Sequence, residues 1–361
     1  MLLRSVPLKT SMLGLGATLA FVALYSITVG PMNISLADSA TSLIQPNNDL
    51  APHINLVIQE IRLPRTILCM LIGAILALCG AVMQGLFRNP LAEPGIIGVS
   101  AGAALGAALA IVLFSELSLQ YPSFMNFMAV PVFAFLGGAL TTLLVYKLGT
   151  GKFGTSVTIM LLAGVAISAL SAAGIGFLNF IADDQMLRDL SLWSMGSLAG
   201  AKWSGILLAA VALVGLFVVF YRQAMSLNAL LLGESEAQHL GIPVQKLKRK
   251  LILLTAAGVG ITVSLSGMIG FIGLVIPHLG RMLAGPDHRV LLPLSAVLGA
   301  LLLTAADMFS RVVLAPAELP VGIVTAIIGA PFFLYLLFQQ KGESFSVSFS
   351  VKSDRHRSEV R

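Results

Sequence analysis

Three arginines stand out in this sequence because each lies where an apolar segment begins or ends. Arg62 and Arg65 enclose a Leu-Pro pair at the start of one apolar run, and Arg311 follows another. A planar guanidinium donates two parallel hydrogen bonds to a carboxylate, so arginines at such positions suit the docking of an acidic partner protein. Binding to lipid phosphates is an alternative, and the four-residue spacing from Asp307 to Arg311 also allows a pair within one helix turn.

A second candidate functional segment is a short polar helix in the longest loop that we place on the cytoplasmic side. Glu234 and Glu236 would begin it, since acidic side chains stabilise the positive end of a helix, and Gly241 and Pro243 would end it. The basic run 246–250 follows directly. From the residues alone, a docking element for a cytoplasmic partner and a helix lying at the membrane surface explain this segment equally well.

The sequence lacks the patterns that indicate an enzyme or a metal site. The glycine-rich stretch 149–154 has neither the spacing of a phosphate-binding loop nor the Ser or Thr that would hold magnesium. The five histidines have no metal-ligand spacing. Cys69 and Cys79 lie in one apolar run and are expected to be small core residues. We therefore expect no catalytic residue, no metal and no cofactor.

The overall composition is that of a membrane protein. Of the 361 residues, 57% are apolar and only 11% are charged, whereas a soluble domain carries about 25% charged residues. A water-soluble enzyme or a nucleic-acid-binding protein would leave much of this apolar surface uncovered. We therefore expect an all-α polytopic protein embedded in a lipid bilayer, with no nucleic acid as partner.

Apolar runs of suitable length predict about ten transmembrane helices. We place them near residues 12–33, 64–85, 95–114, 127–147, 156–179, 203–222, 250–267, 269–284, 290–309 and 320–338. The first run is interpreted as an uncleaved span because it is longer than the apolar centre of a signal peptide. Dense glycine around 267–273 predicts broken or irregular helix, which membranes tolerate only inside protein or beside a cavity.

The distribution of basic residues predicts the orientation. With both termini in the cytoplasm, seventeen of the 22 lysines and arginines lie on the inner side, as the positive-inside rule requires. Five lie on the outer side: Arg62, Arg65, Arg188, Lys202 and Arg311. Of these, Arg62, Arg65 and Arg311 lie at helix ends and are expected to face water. This topology makes 34–61 a periplasmic loop, 223–249 a cytoplasmic loop and 341–361 a cytoplasmic tail.

The middles of the spans contain essentially no ionisable residues. Carriers driven by proton or sodium gradients usually need such groups within the membrane. A stand-alone secondary carrier or channel is therefore the less favoured hypothesis. It would be supported if the purified protein alone moved solute across vesicles.

Five stretches of the sequence resemble the FecCD-type permease family, the membrane subunits of type II ABC importers for haem, ferric siderophores and cobalamin. They are residues 62–65, 80–102, 233–243, 269–281 and 318–331. The resemblance implies the type II ABC importer permease fold, with one permease domain over 1–361 and a core at 62–338. It also implies a homodimer in the bacterial inner membrane, two ATP-binding cassette subunits that hydrolyse the ATP, and a periplasmic substrate-binding protein.

The same resemblance implies roles for particular residues. Arginines at the positions of Arg62, Arg65 and Arg311 dock glutamates of the binding protein in this family. The polar helix is similar to the coupling segment that contacts the ATPase, which comprises Gly233, Glu234, Ser235, Glu236, Ala237, Gln238, His239, Leu240 and Gly241.

The substrate is suggested by residues 189–203, which look most like the haem branch of the family. Trp193, Met195 and Gly196 are the candidate residues of the substrate pathway, although an interfacial aromatic belt and core packing are alternatives for the first two. The resemblance implies ATP-driven import of haem, with ferric siderophores or cobalamin as alternatives.

Overall fold

The computed structural model describes residues 8–45, 50–114, 129–152 and 154–336, together with positions 120 and 338. The expected tail 341–361 lies outside the described residues. Within them the chain is predominantly α-helical and contains helices long and apolar enough to cross a membrane, as predicted for an all-α membrane protein.

The helices follow one another along the chain with short connections. They are α1 Leu8–Thr28, α2 Leu36–Ile44, α3 Pro52–Leu56, α4 Leu63–Phe87, α5 Val99–Leu113, α6 Val130–Gly149, α7 Val157–Ile181, α8 Asp184–Ser194, α9 Trp203–Arg222, α10 Ala224–Leu232, α11 Glu234–His239, α12 Val244–Ser266, α13 Ile272–Ala284, α14 His288–Val312 and α15 Val321–Leu336.

Two helical turns and one hairpin complete these connections. A π-helical turn, Val57–Arg62, joins α3 to α4, and a 3-10 turn, Pro94–Ile97, precedes α5. The strands β1 Thr150–Gly151 and β2 Gly154–Thr155 pair antiparallel between α6 and α7. We call residues 150–155 the α6–α7 hairpin.

Each of the ten predicted spans contains a helix. Six helical segments of the described residues are long and apolar enough to cross a membrane: Pro52–Phe87, Val130–Gly149, Val157–Ile181, Trp203–Arg222, Val244–Ser266 and His288–Val312. Four shorter apolar helices lie in the other predicted spans: Met12–Thr28, Val99–Leu113, Ile272–Ala284 and Val321–Leu336. The prediction of about ten spans therefore agrees with the number of apolar helices.

The largest differences from the predicted boundaries lie at the starts of two helices. Pro52–Phe87 forms one continuous helical segment that begins within the expected outer loop 34–61, which also contains α2. The basic run 246–250, expected to precede its span, lies in the first turns of α12. In both cases the helix continues beyond the apolar run because its backbone hydrogen bonds do not require apolar side chains.

Helix α4 is the centre of the bundle. In its most apolar window 83% of the residues are buried, against 22% in the corresponding windows of α7 and α9. Its glycines allow close crossings: a Cβ on Gly73 would collide with the backbone of Gly299 in α14, and a Cβ on Gly80 with that of Gly273 in α13. Small residues permit such approaches between membrane helices. Helices α4, α13 and α14 therefore form a tightly packed core.

The predicted break near 267–273 separates α12 from α13. Gly267 ends α12 with a φ of +68°, and Phe271 precedes α13 with a φ of +66°. The Phe271 N–H donates to Glu93 Oε1 at 3.2 Å, so a carboxylate from the loop before α5 satisfies one backbone donor at the break. The expectation of broken helix inside protein is confirmed.

Candidate functional site

The three predicted docking arginines meet at one end of the bundle, which we call the arginine cluster (Arg62, Arg65, Asp307, Arg311 and Glu318). Arg65 and Arg311 share one carboxylate: Arg65 Nε donates to Asp307 Oδ1 at 3.0 Å, and Arg311 Nε donates to Asp307 Oδ2 at 2.8 Å. Arg65 also pairs with Glu318 Oε2 at 2.7 Å. The pair predicted from the spacing of Asp307 and Arg311 is confirmed.

The cluster also fastens the end of α1 to its neighbours. Arg62 Nη1 donates to the carbonyl oxygens of Ile27 at 3.0 Å and Thr28 at 2.7 Å. Arg311 Nη1 donates to the carbonyl oxygen of Ser26 at 3.0 Å. These carbonyls lie in the last turn of α1, where helix geometry leaves them without internal donors. The arginines therefore supply the missing hydrogen bonds and hold α1 against α4 and α14.

The expectation that these arginines face water is wrong. Arg62 and Arg65 are each 4% exposed, Arg311 is 2% exposed and Asp307 is fully buried. A buried guanidinium needs hydrogen-bond acceptors, and here the carboxylates and the α1 carbonyls provide them. Among the acidic groups of the cluster, the Glu318 side chain is 36% exposed and so reaches solvent. The docking role of the arginines remains a prediction.

At the opposite end, residues 233–241 form the predicted short helix. Gly233, with a φ of +136°, precedes α11, and Gly241, with a φ of +81°, follows it. The Ile242 N–H donates to the Ala237 carbonyl oxygen at 3.0 Å, which closes the helix end. Ala237 is buried, whereas Ser235, Glu236, Gln238, His239 and Leu240 are exposed. One side of α11 thus packs on the bundle and the other side remains open to a partner.

Lys248 is a residue of this end that the sequence analysis did not single out. It is 2% exposed and its Nζ donates to Glu234 Oε1 at 2.6 Å and to the Thr155 carbonyl oxygen at 3.1 Å. Its burial could have been predicted from the spacing of the apolar residues. Val244, Leu247 and Leu251 form the buried stripe of α12, and Lys248 lies on the same helix face.

A polar contact joins α10 to the start of α14. Asp287 Oδ1 accepts the Arg289 N–H at 2.9 Å and the Asn228 side-chain amide at 2.7 Å. The hydrogen bond from the Arg289 side chain, with these two, holds the pKa of the Asp287 carboxyl well below its usual value. Asp287 therefore caps α14 as an anion and ties α10 to it.

The predicted pathway residues lie where α8 ends, beside the break between α12 and α13. Trp193 is half-buried and Met195 is 39% exposed, while Gly196, with a φ of +72°, packs against the Met268 carbonyl. The Ser197 N–H donates to the Ser266 carbonyl oxygen at 2.8 Å. The sequence therefore brings an aromatic ring and a thioether to irregular backbone within the bundle.

The same segment also contacts α15. A Cβ added to Gly322, in the first turn of α15, would collide with the Met195 carbonyl oxygen. Residues 193–197, the break at 267–271 and the start of α15 thus meet at one place, which we call the junction. Trp193 also packs against the main apolar core, as the alternative of core packing predicts, while the Met195 thioether is 39% exposed.

Comparison with known proteins finds similar chains over nearly the whole length. The FecCD transport family matches residues 18–339. The hemin transport system permease protein HmuU of Yersinia pestis is 44% identical over 323 residues, which cover 90% of this chain and 93% of that protein. The vitamin B12 import system permease protein BtuC of Vibrio cholerae is 40% identical over 329 residues, covering 91% and 93% respectively.

Solved structures resemble the fold of this chain, and the first of them confirms the predicted type II ABC importer permease fold. One, described as an inward-facing conformation of a metal-chelate type ABC transporter, superposes with a TM-score of 0.79 at 34% identity and covers 92% of this chain and 99% of that chain. PsaBC from Streptococcus pneumoniae in complex with Fab superposes with a TM-score of 0.53 at 17% identity, covering 78% and 93%. The second similarity concerns the fold alone.

Proposed function

This chain belongs to the FecCD transport family and is an ABC importer permease, and we propose that the substrate it moves is haem. The observation that carries the proposal is the junction, where the backbone of Trp193 and Met195 packs against Gly267, at the helix break, and Gly322, at the start of α15. An aromatic ring and a polarisable thioether both make favourable contacts with a flat macrocycle. The 44% identity to a hemin permease supports the same substrate.

Cobalamin is the second candidate, because a vitamin B12 permease is 40% identical over a similar length. Ferric siderophores are the third. Uptake into proteoliposomes tests this ranking of the three candidate substrates. Haem, cobalamin and a ferric hydroxamate are each presented by their own binding protein, and their uptake rates are compared. We expect haem to move fastest, and faster movement of either other ligand would overturn the choice of haem.

The junction itself is tested by the double variant Trp193→Ala, Met195→Ala. We expect slower haem uptake with nearly unchanged basal ATPase activity, because the truncations remove ligand contact surface far from the ATPase. The exposed Phe21, in α1, provides the control Phe21→Ala, which removes an exposed aromatic side chain outside the junction. Equal losses of uptake in the two variants would contradict a specific role for the junction.

We propose that the working unit is a homodimer with two ATP-binding cassette subunits and a substrate-binding protein. The low burial of α7 and α9 supports a further protein or lipid surface against these helices. Cross-linking through cysteines introduced along the exposed face of α7, followed by mass measurement of the purified complex, tests the dimer. Products at monomer mass alone, from every position, would contradict it.

We propose that residues 233–241 couple ATP hydrolysis to transport. The exposed side of α11 supports this role, and Ala237→Pro should disrupt it, since proline removes a backbone donor and crowds the preceding turn. We expect loss of uptake while the spans still insert. Wild-type uptake with normal ATPase co-purification would show that the segment is not the coupling element.

We also propose that the binding protein docks at the arginine cluster. An incoming carboxylate would compete with Glu318 for Arg65, because Glu318 is the acidic group of the cluster that reaches solvent. Glu318→Gln should therefore strengthen docking at low salt, and Glu318→Lys, which adds a positive charge at the solvent-accessible position, should strengthen it further. Unchanged affinity in both variants would exclude the electrostatic role, with Arg188→Glu, an exposed outer arginine, as the control.

The proposed location is the bacterial inner membrane, with both termini in the cytoplasm. The arginine cluster and the Lys248 contacts lie at opposite ends of the bundle, which supports the assignment of the first to the periplasmic side and the second to the cytoplasmic side. A reporter fused to the C-terminus that is active only in the periplasm should be inactive. Solute movement by the purified protein without any ATPase would instead favour a secondary carrier.

A further inference from the structure

A buried lysine links the coupling segment to another part of the bundle. Lys248 has a 2% exposed side chain, and its Nζ lies 2.6 Å from Glu234 Oε1 and 3.1 Å from the Thr155 carbonyl oxygen. Glu234 is the first residue of α11 and Thr155 is the last residue of the α6–α7 hairpin. The ammonium group of Lys248, a residue of α12, thus bonds to both α11 and the α6–α7 hairpin.

The contact with the hairpin is built from two side chains of α12. Gln245 Oε1 accepts the Thr155 N–H at 2.9 Å, so both backbone polar groups of Thr155 bond to α12. Gly154, with a φ of +108°, packs directly against the Gln245 amide, where a Cβ would collide with it. The hairpin is therefore held in place by Gln245 and Lys248 together.

The hairpin leads straight into α7. The Ser156 N–H donates to the Gly149 carbonyl oxygen at 2.8 Å, and the Ser156 side chain caps α7 by accepting the Ile159 N–H. Movement of the hairpin would therefore be transmitted to the first turn of α7. Because only 22% of the most apolar window of α7 is buried, this helix is less tightly held by the rest of its own chain than α4 is.

We propose that Lys248 is a positioning residue that transmits displacement of the coupling segment to the α6–α7 hairpin and hence to α7. The inference rests on the proposed coupling role of residues 233–241. The Glu234 side chain is 36% exposed, but the Lys248 ammonium is buried and is also held by the Thr155 carbonyl oxygen. Separating the pair would leave this buried cation without a counter-charge, so the link resists separation. When the ATPase pulls on α11, the Glu234–Lys248–Thr155 chain moves the hairpin with it.

The first test compares the number of substrate molecules imported per ATP hydrolysed in the assembled complex. Lys248→Met removes the charge and the donors while keeping most of the side-chain length. We expect it to retain ATPase binding and hydrolysis but to lower the transport ratio about tenfold, the size of a typical coupling between two sites. Lys248→Arg, which keeps a charged donor, should restore most of the ratio, and the exposed Lys147→Met should leave it unchanged.

Two results of that test would overturn the proposal. A ratio within twofold of wild type in Lys248→Met would show that the lysine transmits nothing. Loss of ATPase co-purification in that variant would show that Lys248 only maintains the shape of α11. Failure of the proposed coupling role is recognised separately, because then Ala237→Pro also imports normally.

A distance measurement tests the link without relying on transport. Spin labels are placed on cysteines introduced at Lys152 in the hairpin and Gln238 in α11, both exposed, while the native Cys69 and Cys79 are buried. In the wild-type complex the label distance should stay constant between nucleotide states, since the two elements move together. In Lys248→Met it should broaden or change with nucleotide. A nucleotide-dependent distance in the wild type would overturn the rigid link.

Discussion

Replacement of Asp307 by asparagine is expected to destabilise the fold more than any other loss of one carboxylate in the arginine cluster. The Asp307 carboxylate is fully buried and accepts hydrogen bonds from Arg65 at 3.0 Å and from Arg311 at 2.8 Å. Asparagine has the same shape but no negative charge, and its amide nitrogen is a donor that would face a guanidinium. Two buried cations thus lose the counter-charge that they share.

The magnitude follows from the contacts that remain. Removal of one partner from a buried ion pair typically costs about 3–5 kcal/mol. In Asp307→Asn, Arg65 still pairs with Glu318 at 2.7 Å, and Arg311 still donates to the Ser26 carbonyl oxygen at 3.0 Å. The free energy of unfolding should therefore fall by less than the sum of two broken ion pairs. Glu318→Gln is the matched control: its side chain is 36% exposed, so water screens the charge and the cost should be about 1 kcal/mol or less.

The two native cysteines provide the assay. Cys69 and Cys79 are free thiols and fully buried, so a fluorogenic maleimide labels them only after the detergent-solubilised protein unfolds. The thermal midpoint falls by about 2 °C per kcal/mol in larger domains, so Asp307→Asn should lower it by roughly 6 °C or more. The double variant Asp307→Asn, Arg311→Gln should lose less than the sum of the single losses, because the two residues share one contact.

Equal thermal midpoints for Asp307→Asn and Glu318→Gln would contradict the predicted difference in stability. That result would mean that the buried carboxylate does not compensate the two guanidinium charges. Additivity in the double variant would lead to the same conclusion for the pair of Asp307 and Arg311.

Two further predictions concern the packing and capping of the helix core. Gly80→Ala should destabilise by about 1–3 kcal/mol in the same thermal assay, because its methyl group would collide with the Gly273 backbone, while Gly176→Ala, with open space around it, should be nearly neutral. Asp287→Ala should cost about 1 kcal/mol at neutral pH through loss of the α14 cap. Because the pKa of Asp287 is held below the ordinary 3.8, this cost is present above that pH and should shrink as the pH falls below it.

The membrane fold was largely predictable because it depends on local properties of the sequence. A bilayer needs about 20 apolar residues per helix, so apolar runs alone located the ten spans to within a few residues, apart from the early starts of Pro52–Phe87 and α12. Glycine density predicted the break at 267–271, and paired acidic residues with Gly241 predicted α11. Each of these sequence patterns lies within a few residues of the helix or break that it predicts.

The interior of the arginine cluster was not predictable in the same way. Arg65 and Asp307 are 242 positions apart in the sequence, and no local pattern indicates that they pair. The three arginines stood out because they lie on the outer side, where the positive-inside rule predicts few basic residues. Their positions near helix ends suggested that their side chains are exposed, which is not the case. Burial depends on which helices meet there, and that follows from close crossings such as the one at Gly73 and Gly299.

Lys248 is an intermediate case. The spacing of Val244, Leu247 and Leu251 was sufficient to place it on the buried face of α12. That spacing does not identify the acceptors of Lys248, because Glu234 is 14 positions away in the sequence and Thr155 is 93 positions away. A lysine on an apolar helix face therefore indicates that an acceptor must exist, and the fold determines which one.

The two ends of the bundle can be separated by experiment because their charges serve different elements. The arginine cluster fastens α1 to α4 and α14 in the tightly packed core, so Asp307→Asn should lower thermal stability. In the protein that remains folded, the substrate imported per ATP should be nearly unchanged when the binding protein is saturating, because a change in docking then no longer limits transport. Lys248 joins α11 to the hairpin before the less buried α7, so Lys248→Met should lower that ratio with a smaller effect on the midpoint. If both variants changed stability and the transport ratio in proportion, the core and α7 would move as one body, and the division of the bundle into a fixed part and a driven helix would be wrong.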